Sequence, residues 1–196
     1  MSAPARGRDY NGAVTFPVRA ITLDLDDTLW PFAPIGARIE QVLDAWMREH
    51  SPVTAAMFPL LEMRALRERV WREHPQLGHD IGALRRLTME IALRESGGDV
   101  GLADAAYEAF YAERNRVEFY PDAPGALARI AARVPVVALS NGNADLARIG
   151  IQRHFAFQLH PRDNPGGHAC WPHADLAPDL EFDSLAGLAD WLEAQA

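Results

Sequence analysis

The decisive stretch is Ala20-Ile21-Thr22-Leu23-Asp24-Leu25-Asp26-Asp27-Thr28-Leu29. The run from Ala20 to Leu25 is largely apolar and partly β-branched, which reads as a strand buried on both faces, the kind a parallel sheet supplies. It breaks off in acids and a threonine. Carboxylates are costly to bury at a strand end unless a cation or hydrogen-bond donors compensate them. The cluster therefore belongs at an open edge facing a metal or a phosphate. In α/β sheets that edge is the crevice beyond the carboxyl ends of the strands. An acid-rich turn that merely solvates a strand end is the plainer alternative, and it leaves the ordered spacing Asp24-x-Asp26-x-Thr28 without a reason.

Downstream, the period of the pattern changes. Trp30-Pro31-Phe32-Ala33-Pro34 carries prolines that interrupt a helix and mark a hinge or crossover. Ile35, Ile39, Val42, Leu43, Trp46 and Met47 then recur at helical spacing, until Pro52 and Pro59 break it. Leu60, Met63, Leu66 and Val70 predict a second amphipathic helix, closed by His74-Pro75. Asp80 is placed to cap a third, with Ile81, Leu84, Leu87 and Ile91 inward and Gly97-Gly98 at its end. Ala103, Ala106, Tyr107 and Phe110 mark a fourth. Roughly eighty residues without a strand signal, following a strand, form an all-helical insertion. The expected division is a loose leader over 1–17, a core from 18–32 and 117–196, and a helical cap over 33–116.

At Phe119-Tyr120-Pro121-Asp122 the chain returns to the core. Ala123 to Arg133 reads as a helix, and Val134 to Leu139 as a buried strand ending in the polar turn Ser140-Asn141-Gly142-Asn143. Ala144 to Ile151 predicts another helix and Phe155 to Leu159 a short strand. This alternation implies a parallel sheet with right-handed crossovers. Residues 160–178 are rich in proline and glycine and read as loop. Leu180-Glu181-Phe182 predicts a short edge strand, and Ser184 caps a last helix with Leu185, Leu188 and Leu192 inward. The fold class expected is α/β, a Rossmann-like parallel sheet with an inserted all-helical domain.

Composition narrows the function. The chain has 196 residues, enough for a real core in one or two domains. A net charge of -8 argues against a nucleic-acid surface, which needs clustered positive charge. All 19 basic residues are arginine, and there is no lysine. The single Cys170 excludes an internal disulfide and suits a reducing compartment. Met1 to Asn11 lacks the apolar segment of a signal peptide, and no run approaches the ~20 apolar residues of a membrane span. The expectation is a soluble, cytoplasmic protein with neither nucleic acid nor membrane as partner.

Asp24-Leu25-Asp26-Asp27-Thr28-Leu29-Trp30 resembles the first motif of the haloacid-dehalogenase superfamily, in particular the phosphatases with a helical cap inserted just after it. That subgroup acts on nucleotides and on a riboflavin-pathway intermediate. The resemblance implies that Asp24 is the nucleophile and forms an aspartyl-phosphate. It implies that Asp26 protonates the leaving oxygen and then activates water. Thr28 would orient Asp26 or touch the phosphate. Asp24 and Asp26 would hold Mg²⁺ through one carboxylate and one backbone carbonyl, the hard oxygen ligands that ion prefers. Ser140 matches the second motif, and its hydroxyl with the amides of Asn141 and Gly142 would cradle phosphate oxygens. The ligand implied is a small phosphorylated metabolite.

The chain departs from the family in its last third. The third motif is a lysine, sometimes an arginine, and the fourth is a strand ending in paired acids; neither pattern follows Phe155. Judged against the usual domain length, roughly forty residues are missing between Leu159 and about Gly167, so the core reads as truncated. Arg153 or Arg162 could supply the positive charge, and Asp179 with Asp183 the acids. The cap arginines Arg64, Arg67, Arg72, Arg85 and Arg86 read as solvated helix faces or as contacts to an anionic substrate. Trp30 and Phe32 could stack on a ligand ring or staple the cap to the core. Structural zinc on His160, His168, Cys170 and His173 lacks a Cys-x-x-Cys pair, and a receiver domain needs a lysine. The weightier alternative is a pseudoenzyme that binds a phosphorylated ligand or a partner without turnover.

Overall fold

The structure is a computed structural model and describes residues 17–160 and 182–195. Strand β1 (Ile21–Leu23) pairs in parallel with β2 (Val136–Leu139), which pairs in parallel with β3 (Phe157–Leu159), giving the order β1-β2-β3. Register sets Leu23 beside Ala138 and Leu139 beside Leu159, so the three strands end together. β1 is shorter than its sequence suggests, and Thr22 within it is exposed. No strand among the described residues lies on its other side. β2 is the central strand, and Val136, Val137 and Ala138 are buried.

Between β1 and β2 the chain is helical throughout: α1 (Phe32–His50), α2 (Pro52–Met57), α3 (Leu60–Glu73), α4 (Ile81–Glu95) and α5 (Ala103–Arg114). Pro34, expected to break a helix, instead lies in the first turn of α1, where a missing N–H loses no helical bond. Asp80 caps α4 by accepting from the Ala83 amide at 2.9 Å. Gly97 ends that helix at φ 73°, a conformation most side chains avoid. α1 packs on α2 and α5, and α4 on α3 and α5. Leu66, Val70, Leu84 and Ala92 form a small core of their own between α3 and α4, while α1 and α5 share the main core with the sheet.

α6 (Ala123–Ala131) precedes β2 in sequence, α7 (Leu146–Ile149) follows it, and α8 (Leu185–Ala194) packs on α6. Ser184 caps α8 by accepting from the Gly187 amide at 3.1 Å. α7 is one turn rather than the longer helix expected, because Gly150 adopts φ 86° and stops it. The expected edge strand at 180–182 falls partly outside the described residues, and Phe182 is not in a strand. Among the described residues no helix is long and apolar enough to cross a membrane.

Candidate active site

Asp24 is the first residue past β1, on the edge where all three strands end. The turn behind it is tightly tied. The Leu25 carbonyl accepts from the amides of Thr28 and Leu29, at 3.3 and 2.9 Å, and the Asp27 amide donates to the Trp30 carbonyl at 2.8 Å. Asp27 takes a positive φ of 58°, which an aspartate tolerates better than a bulkier residue, and its carboxylate accepts from the Phe32 amide at 2.8 Å. The acid run is therefore a built turn, with Asp27 spent on holding the start of α1. Leu25, Leu29 and Trp30 plug it into the core with no exposed surface.

The Asp24 carboxylate accepts from the Leu25 amide at 2.8 Å, and the Ser140 side chain, just past the end of β2, favours its charged form. Its pKa is raised. Burial is the main cause; the Leu25 amide works against it, the charges of Asp26 and Asp27 add to it, and Ser140 again opposes. Ser140 is buried, and its Oγ accepts from the Gly142 amide at 3.1 Å. A Cβ on Gly142 would stand 2.9 Å from Asp26 Oδ2 and 3.0 Å from Arg114 Nη2, so only glycine fits against this pair without a shift. The structure thus brings Asp24, Asp26, Ser140 and Gly142 together. Asn141 is on the same turn and exposed. Thr28 is half-buried on the first turn, and no described residue hydrogen-bonds its hydroxyl.

Asp26 is held by partners the sequence did not suggest. Trp30 Nε1 donates to its Oδ1 at 2.8 Å, and Arg114 Nη2 reaches Oδ1 and Oδ2 at 2.9 and 2.6 Å. These two side chains hold Asp26, which leaves to Thr28 the other role the resemblance implies, contact with the phosphate. Trp30 is buried edge-to-face against Phe119, at 5.6 Å between ring centroids, so it staples the turn and offers no ring to a ligand. Phe32 does line the cleft, with the Arg114 guanidinium 5.4 Å from its ring centre. Among the described residues Arg114 is the cation paired with Asp26. Arg153 is exposed in the short turn 152–154, and Arg162 and Asp179 lie outside the described residues. Nothing in the local sequence Glu113-Arg114-Asn115 marks that role, which comes from folding α5 back over β1.

A cleft of ≈ 890 Å³ opens between this turn and the helices, within the usual range of about 300–1,000 Å³ for ligand sites. Two buried donors in its wall, Arg114 Nη1 and Asn143 Nδ2, have no acceptor among the described residues. Orphaned donors beside a polar turn suit an anion. Among the described residues no three acidic, imidazole or thiol side chains converge. The donors that a divalent cation would find here are the Asp24 carboxylate and the Asp26 carbonyl. That set fits Mg²⁺, which commonly takes one or two carboxylates and fills the rest with water and substrate phosphate. Burial is the first cause of the raised Asp24 pKa, and the charges of Asp26 and Asp27, which add to it, are what such an ion would offset.

No family model matches the chain. It is 29% identical over 156 residues to the 5-amino-6-(5-phospho-D-ribitylamino)uracil phosphatase YigB of Escherichia coli K12, across 76% of this chain and 65% of that protein. It is 28% identical over 172 residues to the phosphoserine phosphatase of Thermus thermophilus, across 72% of this chain and 67% of the relative. The chain thus spans about two thirds of the length of these curated relatives. Among solved structures, a 2-haloacid dehalogenase from Pseudomonas syringae pv. tomato DC3000 superposes with a TM-score of 0.78 at 27% identity, covering 92% of this chain and 100% of that one. Fold, first motif and relatives all resemble the haloacid-dehalogenase superfamily.

Proposed function

We propose that the chain hydrolyses small phosphate monoesters, of nucleotide or flavin-precursor type, through an aspartyl-phosphate on Asp24. The observation that carries this reading is the placement of Asp24 and Ser140 directly after the ends of adjacent parallel strands, at the crevice where α/β sheets bind ligands. Two curated relatives bear phosphatase names, one for a ribitylaminouracil phosphate and one for phosphoserine, which supports the same reaction class.

In this reading Asp24 attacks phosphorus and the bond to the ester oxygen breaks, while Asp26 gives that oxygen its proton. Asp26, now a carboxylate, takes a proton from water; the water oxygen displaces Asp24 from phosphorus and restores its carboxylate. Ser140, the amides of Asn141 and Gly142, and Thr28 hold the phosphate oxygens, with Arg114 Nη1 and Asn143 Nδ2 as two further donors. Asp24 and the Asp26 carbonyl would hold Mg²⁺, whose charge would keep the two anions from repelling before they react. The helices from α1 to α5 serve as a cap, and Arg114 at the end of α5 reaches the acid. A halide would leave without a proton, so the acid at Asp26 has a use in the first step of ester cleavage that it lacks in dehalogenation.

One observation favours a second reading, a ligand-binding protein without turnover. Both Asp26 oxygens are taken up by Arg114 and Trp30, and no lysine exists to steady the transition state. Phosphate release from p-nitrophenyl phosphate, with and without Mg²⁺ and beside Asp24→Asn, separates the two. Metal-dependent release abolished by the substitution supports the hydrolase. Equal background from both proteins retires it.

A further inference from the structure

The cleft has a far end. There α3 and α4 supply Arg64, Arg67, Arg72 and Arg85 to its wall. Together with Arg114, five arginines face three carboxylates, Asp26, Glu40 and Glu68, in a chain whose net charge is -8. Two of those carboxylates are already engaged. Asp26 belongs to Arg114, and Glu40 is bound through both oxygens by Arg64, with Arg67 only at 3.6 Å from it. Arg85 has no carboxylate within ion-pair distance among the described residues, and its guanidinium lies 5.4 Å from the Phe110 ring centre.

Arg85 differs in this from its neighbour Arg86. Arg86 is paired with Asp104 and lies over Tyr107, an arginine used to tie α4 to α5. Burial, then the adjacent Arg67, pull the Arg85 pKa down to about 10, with Glu40 opposing. Like charges side by side in a partly desolvated wall are a standing cost that an arriving anion removes. Phe32, Ile39, Ile81 and Phe110 line the stretch between the two ends, which suits an uncharged body of the ligand. The volume far exceeds what an isolated phosphate would fill.

We propose that Arg85 and Arg67 form a second anion subsite, so that phosphate monoesters carrying another anionic group, carboxylate or phosphate, at the end remote from the ester bind more tightly than nucleotide- or flavin-precursor-type monoesters without one. The assignment of the near end rests on the phosphatase reading; the far subsite stands on its own charges. Recognition by an unpaired cation is selective, because a ligand without the second anion leaves Arg85 as uncompensated as before.

The test is a homologous series. Phosphooxy-alkanoates and alkanediyl bisphosphates of increasing chain length are each compared with the alkyl monophosphate of the same length. Binding is read by calorimetry in EDTA, with wild type, Arg85→Gln and Arg67→Gln, all checked for wild-type melting. We expect at least one length at which the doubly anionic member binds tenfold or more tightly than its partner, a preference that either substitution reduces by about the same factor. Alkanoate and bisphosphate arms tell which anion is preferred. Equal binding of both members at every length overturns the subsite, as does a preference untouched in both variants. Phosphate release from the same compounds in Mg²⁺ keeps the two readings apart. Preference without turnover leaves the subsite standing and removes the hydrolase; turnover without preference does the reverse.

Discussion

Arg114 Nη2 lies 2.6 Å from Asp26 Oδ2, tying the last turn of α5 to the turn after β1 across 88 residues of sequence. Arg114 is buried and Asp26 partly so. Removing one partner of such a pair strands the other, which costs about 3 kcal/mol when burial is deep. Arg114→Met keeps the bulk and loses the charge; urea unfolding is expected to show a loss of about that size. Phosphate release should fall by ~10-fold or more, with partial recovery in Arg114→Lys. A loss under about 0.5 kcal/mol, the scale of a surface pair, would mean the contact does not hold the acid in solution.

Asp24 should cost stability when charged. Its folded-state pKa is raised, so in the window just above the ordinary carboxylate range the native state holds a proton that the unfolded chain has lost. Stability therefore falls as pH rises through that window. Asp24→Asn in EDTA is expected to melt higher at neutral pH and to flatten that part of the profile. Melting lower than wild type at neutral pH would reverse the sign.

Gly142→Ala should damage activity more than the fold. The added methyl meets two side-chain atoms, Asp26 Oδ2 and Arg114 Nη2, and no main-chain atom. The pair can shift by a few tenths of an ångström, at about 1 kcal/mol, but the acid then leaves its position. Phosphate release reduced ~10-fold with a nearly unchanged melting curve is the expected pattern.

Trp30→Phe keeps an aromatic ring against Phe119 and deletes the Nε1 donor to Asp26. One hydrogen bond to a charged acceptor is worth about 1.5–3 kcal/mol. Denaturant unfolding should show a loss near the low end, since Asp26 keeps Arg114, and the rate should drop beside it.

The run before Ser140 was legible because a central parallel strand writes its burial into consecutive residues; the run before Asp24 announced a strand but not its exposed Thr22. The caps at Asp80 and Ser184 were legible because one side chain and a nearby amide decide them. Strand lengths were overestimated: apolar residues at Val134 and Phe155 pack into the core without joining a ladder. Arg114 could not be found at all. Its function is conferred by a contact at long sequence separation, and its neighbours Glu113 and Asn115 resemble any helix end. The same holds for Arg85, adjacent in sequence to an arginine with a different use.

The Tyr120 amide donates to the Leu29 carbonyl at 2.9 Å, where the chain leaves the sheet for the helices and where it comes back. Arg114 stands just ahead of the return. In the proposed hydrolase, a rotation of the helices about that crossing would draw the guanidinium off Asp26, so opening the cap and loosening the acid would be one mechanical event.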